Sequence, residues 1–367
     1  MRDVLCDMPR LRDQGVKVKN KVLMCGNEAC GEGAVLAGCK FYAGYPITPQ
    51  NELTAYMAKR MLETGGVFIQ AESELAAINM VFGAAAAGVR AMTSSSSPGM
   101  SLKQEGISYL AGCELPCVLV NMQRGGPGLG NIAPAQGDYF QAVKGGGHGD
   151  YKLIVLAPSS AQEFLDYTAL AFDLADKYRN PVIILGDGLL GQMMEPIVIQ
   201  AADHKPEIID KPWALTGCKG RKPNIIKSLI LAEGALEEHN KKLQEKFRSI
   251  ALTETRSESL NIKDSEIVLV AYGSVARIAK ASMQMARSKG LKVGLIRPIT
   301  LWPFPDEAIR NACLSARKFL VVEMSAGQMV EDVRLAVNGR TGVEFHGRMG
   351  GGIPSEEEIL QKVEALI

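Results

Sequence analysis

Two glutamates, one threonine and one arginine are the residues of this chain best placed to do chemistry. Each lies beside glycine or proline just after a short apolar run. The segments are Gly44-Tyr45-Pro46-Ile47-Thr48-Pro49, Ala71-Glu72-Ser73-Glu74 and Arg124-Gly125-Gly126-Pro127-Gly128-Leu129-Gly130, with a hydroxyl-rich stretch from Thr93 to Gly99 between the last two. A guanidinium at a strand end, followed by glycines that let a ligand approach the backbone, suits bidentate capture of a carboxylate or phosphate. A structural ion pair is the competing role for Arg124. Pro49 holds Thr48 extended and could open the next helix, which would aim a hydroxyl and a helix amino end at a ligand; a plain helix cap is the alternative. Glu72 and Glu74 precede an alanine-rich helical stretch, so one is expected to cap it and the other to be a buried carboxylate. Spacing alone does not choose between them.

The elements around these residues alternate. Strands are expected at 21–24, 40–45, 67–71, 89–93, 116–122, 153–157 and 181–185, with helices at 28–38, 50–63, 73–87, 100–111 and 161–178. Strands alternating with helices of this length make an α/β protein with a doubly wound, mainly parallel sheet, and such sheets bind ligands at the carboxyl ends of their strands. All four candidate segments fall at such ends. Residues 200–262 break the rhythm with Pro206, Pro212 and Pro223 and a charged run from Glu233 to Phe247, the pattern of a connector. A second α/β unit follows. The expected division is an N-terminal extension over 1–20, a ligand-binding domain over 21–199, the connector over 200–262 and a smaller domain over 263–367.

Composition removes several classes of function. Forty-one basic and 40 acidic residues leave a net charge of +1, so no overall field favours nucleic acid or an anionic membrane. The first twenty residues include Arg2, Asp3, Arg10, Arg12 and Asp13 and lack the apolar core of a signal peptide, which points to the cytoplasm. The 8 cysteines form no C-x-x-C pair, so the close spacing of a zinc knuckle or a ferredoxin-type cluster is not present. If the reaction moves electrons, another chain holds the clusters. Buried thiols are the expected state, with a redox role for Cys113 and Cys117 as the alternative. Gly125 to Gly130 is neither a dinucleotide fingerprint nor a phosphate loop. Gly186-Asp187-Gly188 resembles the start of the diphosphate and magnesium motif of thiamine enzymes, but the segment from Lys211 to Cys218 holds no asparagine to complete it. A strand-end turn is the expected role of Asp187.

Taken together, the Tyr-Pro-Ile-Thr-Pro segment, Glu72-Ser73-Glu74, the Ser94 to Gly99 run, Arg124 to Gly128 and Gly145-Gly146-Gly147-His148-Gly149-Asp150 resemble the alpha subunit of 2-oxoacid:ferredoxin oxidoreductases, particularly the 2-oxoisovalerate and 2-oxoglutarate types. The resemblance covers about residues 20 to 367. It implies a pyrimidine-binding-like thiamine diphosphate domain followed by a transketolase C-terminal-like domain, with the cofactor shared between two subunits. The beta subunit would hold the diphosphate and Mg2+, and gamma and ferredoxin-like delta subunits would complete the enzyme, with iron-sulfur clusters only on partners. In that family a glutamate bonds the aminopyrimidine and promotes its activation, and this role falls on Glu74. Tyr45, Pro46 and Ile47 would lie against the cofactor. Thr48 and Arg124 would hold the substrate carboxylate, and no metal ligand is assigned to this chain. The implied reaction is CoA-dependent oxidative decarboxylation of a 2-oxoacid, with electrons passed to ferredoxin. No second cation stands beside Arg124 for a distal carboxylate, which favours 2-oxoisovalerate over 2-oxoglutarate. Two other readings are a self-contained thiamine enzyme of transketolase or decarboxylase type and a non-catalytic assembly subunit.

Overall fold

The computed structural model describes residues 21–199 and 209–367. The 1–20 extension, with Cys6, and the connector's Pro206 lie outside them. The first half carries strands β1 (Lys21–Cys25), β2 (Phe41–Gly44), β3 (Val67–Gln70), β4 (Ala91–Ser95), β5 (Cys117–Gln123), β6 (Ile154–Leu156), β7 (Pro181–Asp187) and β8 (Met194–Val198). Its helices are α1 (Gly26–Leu36), α2 (Asn51–Glu63), α3 (Glu74–Ala86), α4 (Ser97–Gly112), α5 (Ala161–Tyr178) and the short α6 (Gly188–Gln192). The second half adds α7 (Ala235–Thr253), β9 (Ser257–Leu260), β10 (Ile267–Val270), α8 (Gly273–Ser288), β11 (Val293–Pro298), β12 (Thr300–Trp302), α9 (Asp306–Ala312), β13 (Lys318–Glu323), α10 (Met329–Val337), β14 (Gly342–Gly347) and α11 (Glu356–Glu364).

The main sheet has seven strands in the order β12-β6-β7-β5-β4-β2-β3, parallel except for β12. Every residue of β5, Cys-Val-Leu-Val-Asn-Met-Gln, is buried, as a strand covered by helices on both faces must be. A second sheet runs β14-β13-β10-β11-β9, with β9 antiparallel. The doubly wound α/β class expected from the alternation is therefore present, with three differences. The first expected strand, β1, stands outside the main sheet and pairs antiparallel with β8, because its first three residues are exposed and a central strand would bury them. The proline-punctuated segment is not only a connector: it contains α7, and Ser257–Leu260 adds a strand to the second sheet. Finally, β12 leaves the second half to edge the first sheet along β6, so the two halves share a hydrophobic core in which Val268, Tyr272 and Leu301 pack with Leu156 and Tyr139.

Polar bonds fix the same junction. Gln136 donates from Nε2 to the Tyr272 carbonyl at 3.0 Å, and its Oε1 accepts from the Met324 amide at 3.1 Å. Tyr139 donates to Asp332 at 2.6 Å, and Arg297 grips Glu163 with both amino nitrogens at 2.7 and 2.8 Å. Bidentate pairs of this kind fix geometry as well as supplying energy. The loop after Arg124 is thus clamped from the far side by the second half.

Candidate active site

The strands β2, β3, β4 and β5 are parallel neighbours, so the chain after each emerges at the same edge of the sheet, the one at which such sheets bind ligands. After β3, Ser73 is extended and caps α3 by accepting from the Ala76 amide at 3.1 Å. That corrects the expectation that one of the two glutamates is the cap. A serine hydroxyl reaches the free amides of a first turn more readily than a longer side chain does. Glu74 is the first residue of the helix and is 5% exposed, whereas Glu72 faces solvent. The Glu74 carboxyl sits against α4 where the chain carries Gly99: a β-carbon there would lie 2.4 Å from Glu74 Oε1 and 2.1 Å from Ser95 Oγ. Glycine at 99 is what allows the carboxylate into that place.

Thr48 is half-buried and does not cap α2. The helix starts at Asn51, with Gln50 rather than Pro49 in the flanking position, so Pro49 does not open it. The Thr48 hydroxyl accepts from Asn51 Nδ2 at 3.3 Å, and Tyr45 and Pro46 are exposed beside half-buried Ile47. Beneath this loop a chain of buried hydroxyls connects β2, β4 and α2. Tyr42 meets Ser94 Oγ at 2.6 Å and Thr54 Oγ1 at 3.0 Å, Ser94 donates to Gln50 Oε1 at 2.5 Å, and Gln50 Nε2 donates to the Tyr45 carbonyl at 3.3 Å. The network ties the loop to the sheet. It leaves the Ser95 and Ser96 hydroxyls buried and without partners.

Arg124 is 8% exposed. Its guanidinium donates to the Thr48 carbonyl at 3.0 Å and the Leu129 carbonyl at 3.2 Å, so arginine and threonine segments distant in sequence meet at this edge of the sheet. Among the described residues no carboxylate pairs with it, and Nε is buried without an acceptor. A buried cation held only by carbonyls costs free energy that an arriving anion would offset. Arg124 also lines a cavity of 510 Å³ between the two halves, together with Ser97, Asp138, Met324, Ser325 and Gln328. The Asp138 carboxyl is pushed up from its ordinary range, chiefly by burial; Ser97 Oγ at 2.6 Å and Asn121 Nδ2 at 2.9 Å oppose that shift.

Ser97 belongs to the hydroxyl-rich stretch singled out in the sequence, whereas sequence reasoning missed Asp138 and every second-half residue of this cavity. Asp138 follows no recognisable strand end, and nothing in the sequence brings Met324 to Gln328 beside Arg124. The turn at 324–328 is built around buried Glu323, whose carboxylate accepts from the amides of Gln328, Met329 and Val330. Asp187 is more than a strand-end turn. It caps α6 through the Leu189 and Leu190 amides at 3.0 and 3.2 Å and accepts from Ser274 of the second half at 2.7 Å. Burial raises its carboxyl as well. Cys113 and Cys117 are free, buried thiols pushed up by burial, the state of structural rather than reactive cysteines. Among the described residues no group of three or more His, Cys, Asp or Glu side chains could hold a metal ion, and no helix is long and apolar enough to cross a membrane.

A parallel sheet presenting a buried carboxylate and an unneutralised guanidinium at its strand ends is a ligand-binding domain of the doubly wound α/β class. Residues 32–258 match the family described as pyruvate flavodoxin/ferredoxin oxidoreductase, thiamine diphosphate-binding, and residues 265–359 match pyruvate:ferredoxin oxidoreductase core domain II. Ketoisovalerate oxidoreductase subunit VorB of Methanothermobacter marburgensis is 53% identical over 343 residues, 93% of this chain and 96% of the relative. The 2-oxoglutarate synthase subunit KorA of Methanocaldococcus jannaschii is 39% identical over 370 residues, 93% of this chain and 98% of the relative. In structure, the chain superposes with a TM-score of 0.85 and 29% identity on 2-oxoglutarate:ferredoxin oxidoreductase from Magnetococcus marinus with 2-oxoglutarate, coenzyme A and succinyl-CoA bound, covering 95% of this chain and 65% of that one. A split-gene transketolase shares the fold, with a TM-score of 0.58 at 14% identity. The chain belongs to the 2-oxoacid:ferredoxin oxidoreductase family as an alpha-type subunit.

Proposed function

We propose that this chain supplies the pyrimidine half of a split thiamine diphosphate site, and the substrate-carboxylate contact, in an enzyme that oxidatively decarboxylates a branched 2-oxoacid to its acyl-CoA. The observation that carries the reading is the buried Arg124 guanidinium, held by two carbonyls and unpaired with any carboxylate among the described residues, at the wall of the interdomain cavity. The site suits the cofactor: Gly99 makes room for a buried carboxylate, and two serine hydroxyls beside it lack partners. Thiamine diphosphate supplies the nucleophilic carbon and the electron sink of the reaction when bound. Glu74 holds and moves the proton at a pyrimidine ring nitrogen, and the Tyr45 to Ile47 segment forms the adjoining wall. Thr48 and Arg124 hold the carboxylate that leaves as carbon dioxide.

Residues 21–199 carry these roles. The unit over 263–367, joined through 200–262, closes the cavity from the other side. The wall there offers Met324, Ala326 and Met349 and no cation besides Arg124, which suits 2-oxoisovalerate better than 2-oxoglutarate. The same preference is supported by the ketoisovalerate relative. A beta subunit holding the diphosphate and Mg2+, gamma and ferredoxin-like delta subunits, iron-sulfur clusters on these partners, CoA, and ferredoxin as acceptor complete the enzyme in the cytoplasm. Because the diphosphate half is elsewhere, the chain alone should give little heat with thiamine diphosphate and magnesium in calorimetry, and binding should appear on adding the partner subunit. Micromolar or tighter binding by the chain alone would favour a self-contained thiamine enzyme. Binding without 2-oxoacid- and CoA-dependent viologen reduction by the assembled complex would favour an assembly role.

A further inference from the structure

Arg124 and Asp138 are the two ionisable side chains that line the interdomain cavity among the described residues, and a single hydroxyl connects them. Ser97, the first residue of α4, donates from Oγ to Asp138 Oδ2 at 2.6 Å and accepts at the same oxygen from the Arg124 amide at 3.0 Å. Asn121 completes the junction: its Nδ2 donates to Asp138 Oδ2 at 2.9 Å, and its Oδ1 accepts from the Ser97 amide at 3.1 Å. The Asp138 amide returns to β5 by donating to Gln123 Oε1 at 3.1 Å. Ser97, Asn121, Gln123 and Arg124 are all buried, so a bond left unmade among them would cost desolvation with nothing to offset it. Among the described residues Asp138 Oδ1 has no hydrogen-bond partner.

These contacts close a loop. The chain leaves β5 at Arg124, folds back on itself through the Gly125 amide and the Ala133 carbonyl at 2.9 Å, and returns at Asp138, so both ends of the loop hang on Ser97 Oγ. The same loop supplies the Leu129 carbonyl that holds the Arg124 guanidinium at 3.2 Å. A serine hydroxyl has one proton to give. While Asp138 takes it, the Ser97 lone pairs are left for the Arg124 amide; without that acceptor the remaining outlet is the Arg124 carbonyl, at a longer 3.3 Å. We propose that Asp138 is a positioning residue for Arg124: acting through Ser97, it sets the place of the guanidinium at the cavity wall, and with it the affinity for the carboxylate of the 2-oxoacid. The inference rests on the carboxylate-holding role given to Arg124 above.

The test is 2-oxoisovalerate- and CoA-dependent viologen reduction by the assembled complex carrying Asp138→Ala, Asp138→Asn, Arg124→Ala, or Asp138→Ala and Arg124→Ala together. Asp138→Ala should raise KM for the 2-oxoacid roughly tenfold, the middle of the range for residues coupled in one network, with a smaller effect on kcat. In Asp138→Asn the side-chain oxygen takes the place of Oδ2 and the amide nitrogen that of the unbonded Oδ1, so the junction is kept and KM should return to within about threefold of wild type. Once Arg124 is alanine, Asp138→Ala should add nothing, because a residue that acts only through Arg124 has nothing left to position. An undiminished effect of Asp138→Ala in that background would show a merely structural role and overturn the proposal. An Asp138→Asn complex as impaired as Asp138→Ala would show that the charge acts on its own, and would overturn it too. Ser97→Ala cuts the same link from α4 and should raise KM as Asp138→Ala does, which keeps the link testable where Asp138→Ala fails to assemble; a wild-type KM in Ser97→Ala overturns the proposal. An unchanged KM in Arg124→Ala alone would overturn the reading of Arg124 and this proposal with it. That failure is told apart from the others because it shows in the Arg124 variant with Asp138 intact.

Discussion

Gly99→Ala adds one methyl group at the closest approach of α4 to the site. The new carbon would stand 2.4 Å from Glu74 Oε1 and 2.1 Å from Ser95 Oγ, and must reach at least 3.0 Å from each, so the two oxygens have to retreat by roughly 0.6 and 0.9 Å. Catalytic groups tolerate displacements of only about 0.5 Å, and a misplacement of about 1 Å can cost on the order of a hundredfold in rate. Turnover should therefore fall by about ten- to a hundredfold. Stability should suffer less: overpacking costs about 1 to 3 kcal/mol, and replacing glycine by alanine inside a helix returns up to about 1 kcal/mol. The assay is 2-oxoacid- and CoA-dependent viologen reduction by the reconstituted complex, with thermal melting of the chain alongside. Gly83→Ala is the control, since nothing lies within 4 Å of the added carbon on α3 and its backbone is unstrained. That change should leave turnover intact and stabilise by about 0.4 to 1 kcal/mol. Turnover within about threefold of wild type in Gly99→Ala would refute the placement of Glu74 at the reacting centre.

Arg124→Ala should lower kcat/KM for 2-oxoisovalerate and 2-oxoglutarate in similar proportion, by roughly 2 to 4 kcal/mol, because it removes a contact to the carboxylate the two share. A loss confined to 2-oxoglutarate would mean that Arg124 reads the distal carboxylate. Lys103, a fully buried lysine on α4, makes a separate prediction about stability. Its folded value lies near 7 and its ordinary value at 10.5, so the unfolded chain holds the extra proton in that window and the lysine's contribution to stability rises with pH from 7 to 10.5. Thermal melts across that window should show a shallower rise in Lys103→Met. Part of the rise should persist, since burial also lowers Lys246 to about 8. A slope unchanged by Lys103→Met would contradict the depressed value.

The alternation of strands and helices was legible because parallel strands buried on both faces read as apolar runs, as Cys117 to Val120 of β5 does. The strand-end positions of Thr48, Glu74 and Arg124 followed from the same pattern, since the chain turns toward the ligand side wherever such a run stops. Local spacing could not separate Glu72 from Glu74. The distinction depends on α4 delivering Gly99 against one of them and on Ser73 taking the cap. Nor could it foresee the cavity wall. Met324 comes to Arg124 through the 3.1 Å bond between its amide and Gln136, a contact 188 positions apart in the chain. Strand β12 edging the first sheet was hidden for a similar reason: Thr300–Trp302 is too short to register as a strand until β6 is beside it. Lys103 gave no signal, because a lysine among Ser101, Gln104 and Glu105 reads as a solvated helix face.

The claim that matters most is that Glu74, and not its exposed neighbour, activates the cofactor. The direct measurement is turnover of the assembled complex with Glu74→Gln and with Glu72→Gln, each checked for intact assembly. Glu74→Gln should lower turnover by at least about a hundredfold, the scale of losing an acid-base contact, while Glu72→Gln stays close to wild type. The reverse order of effects, or a Glu74→Gln enzyme that turns over normally, would contradict the account.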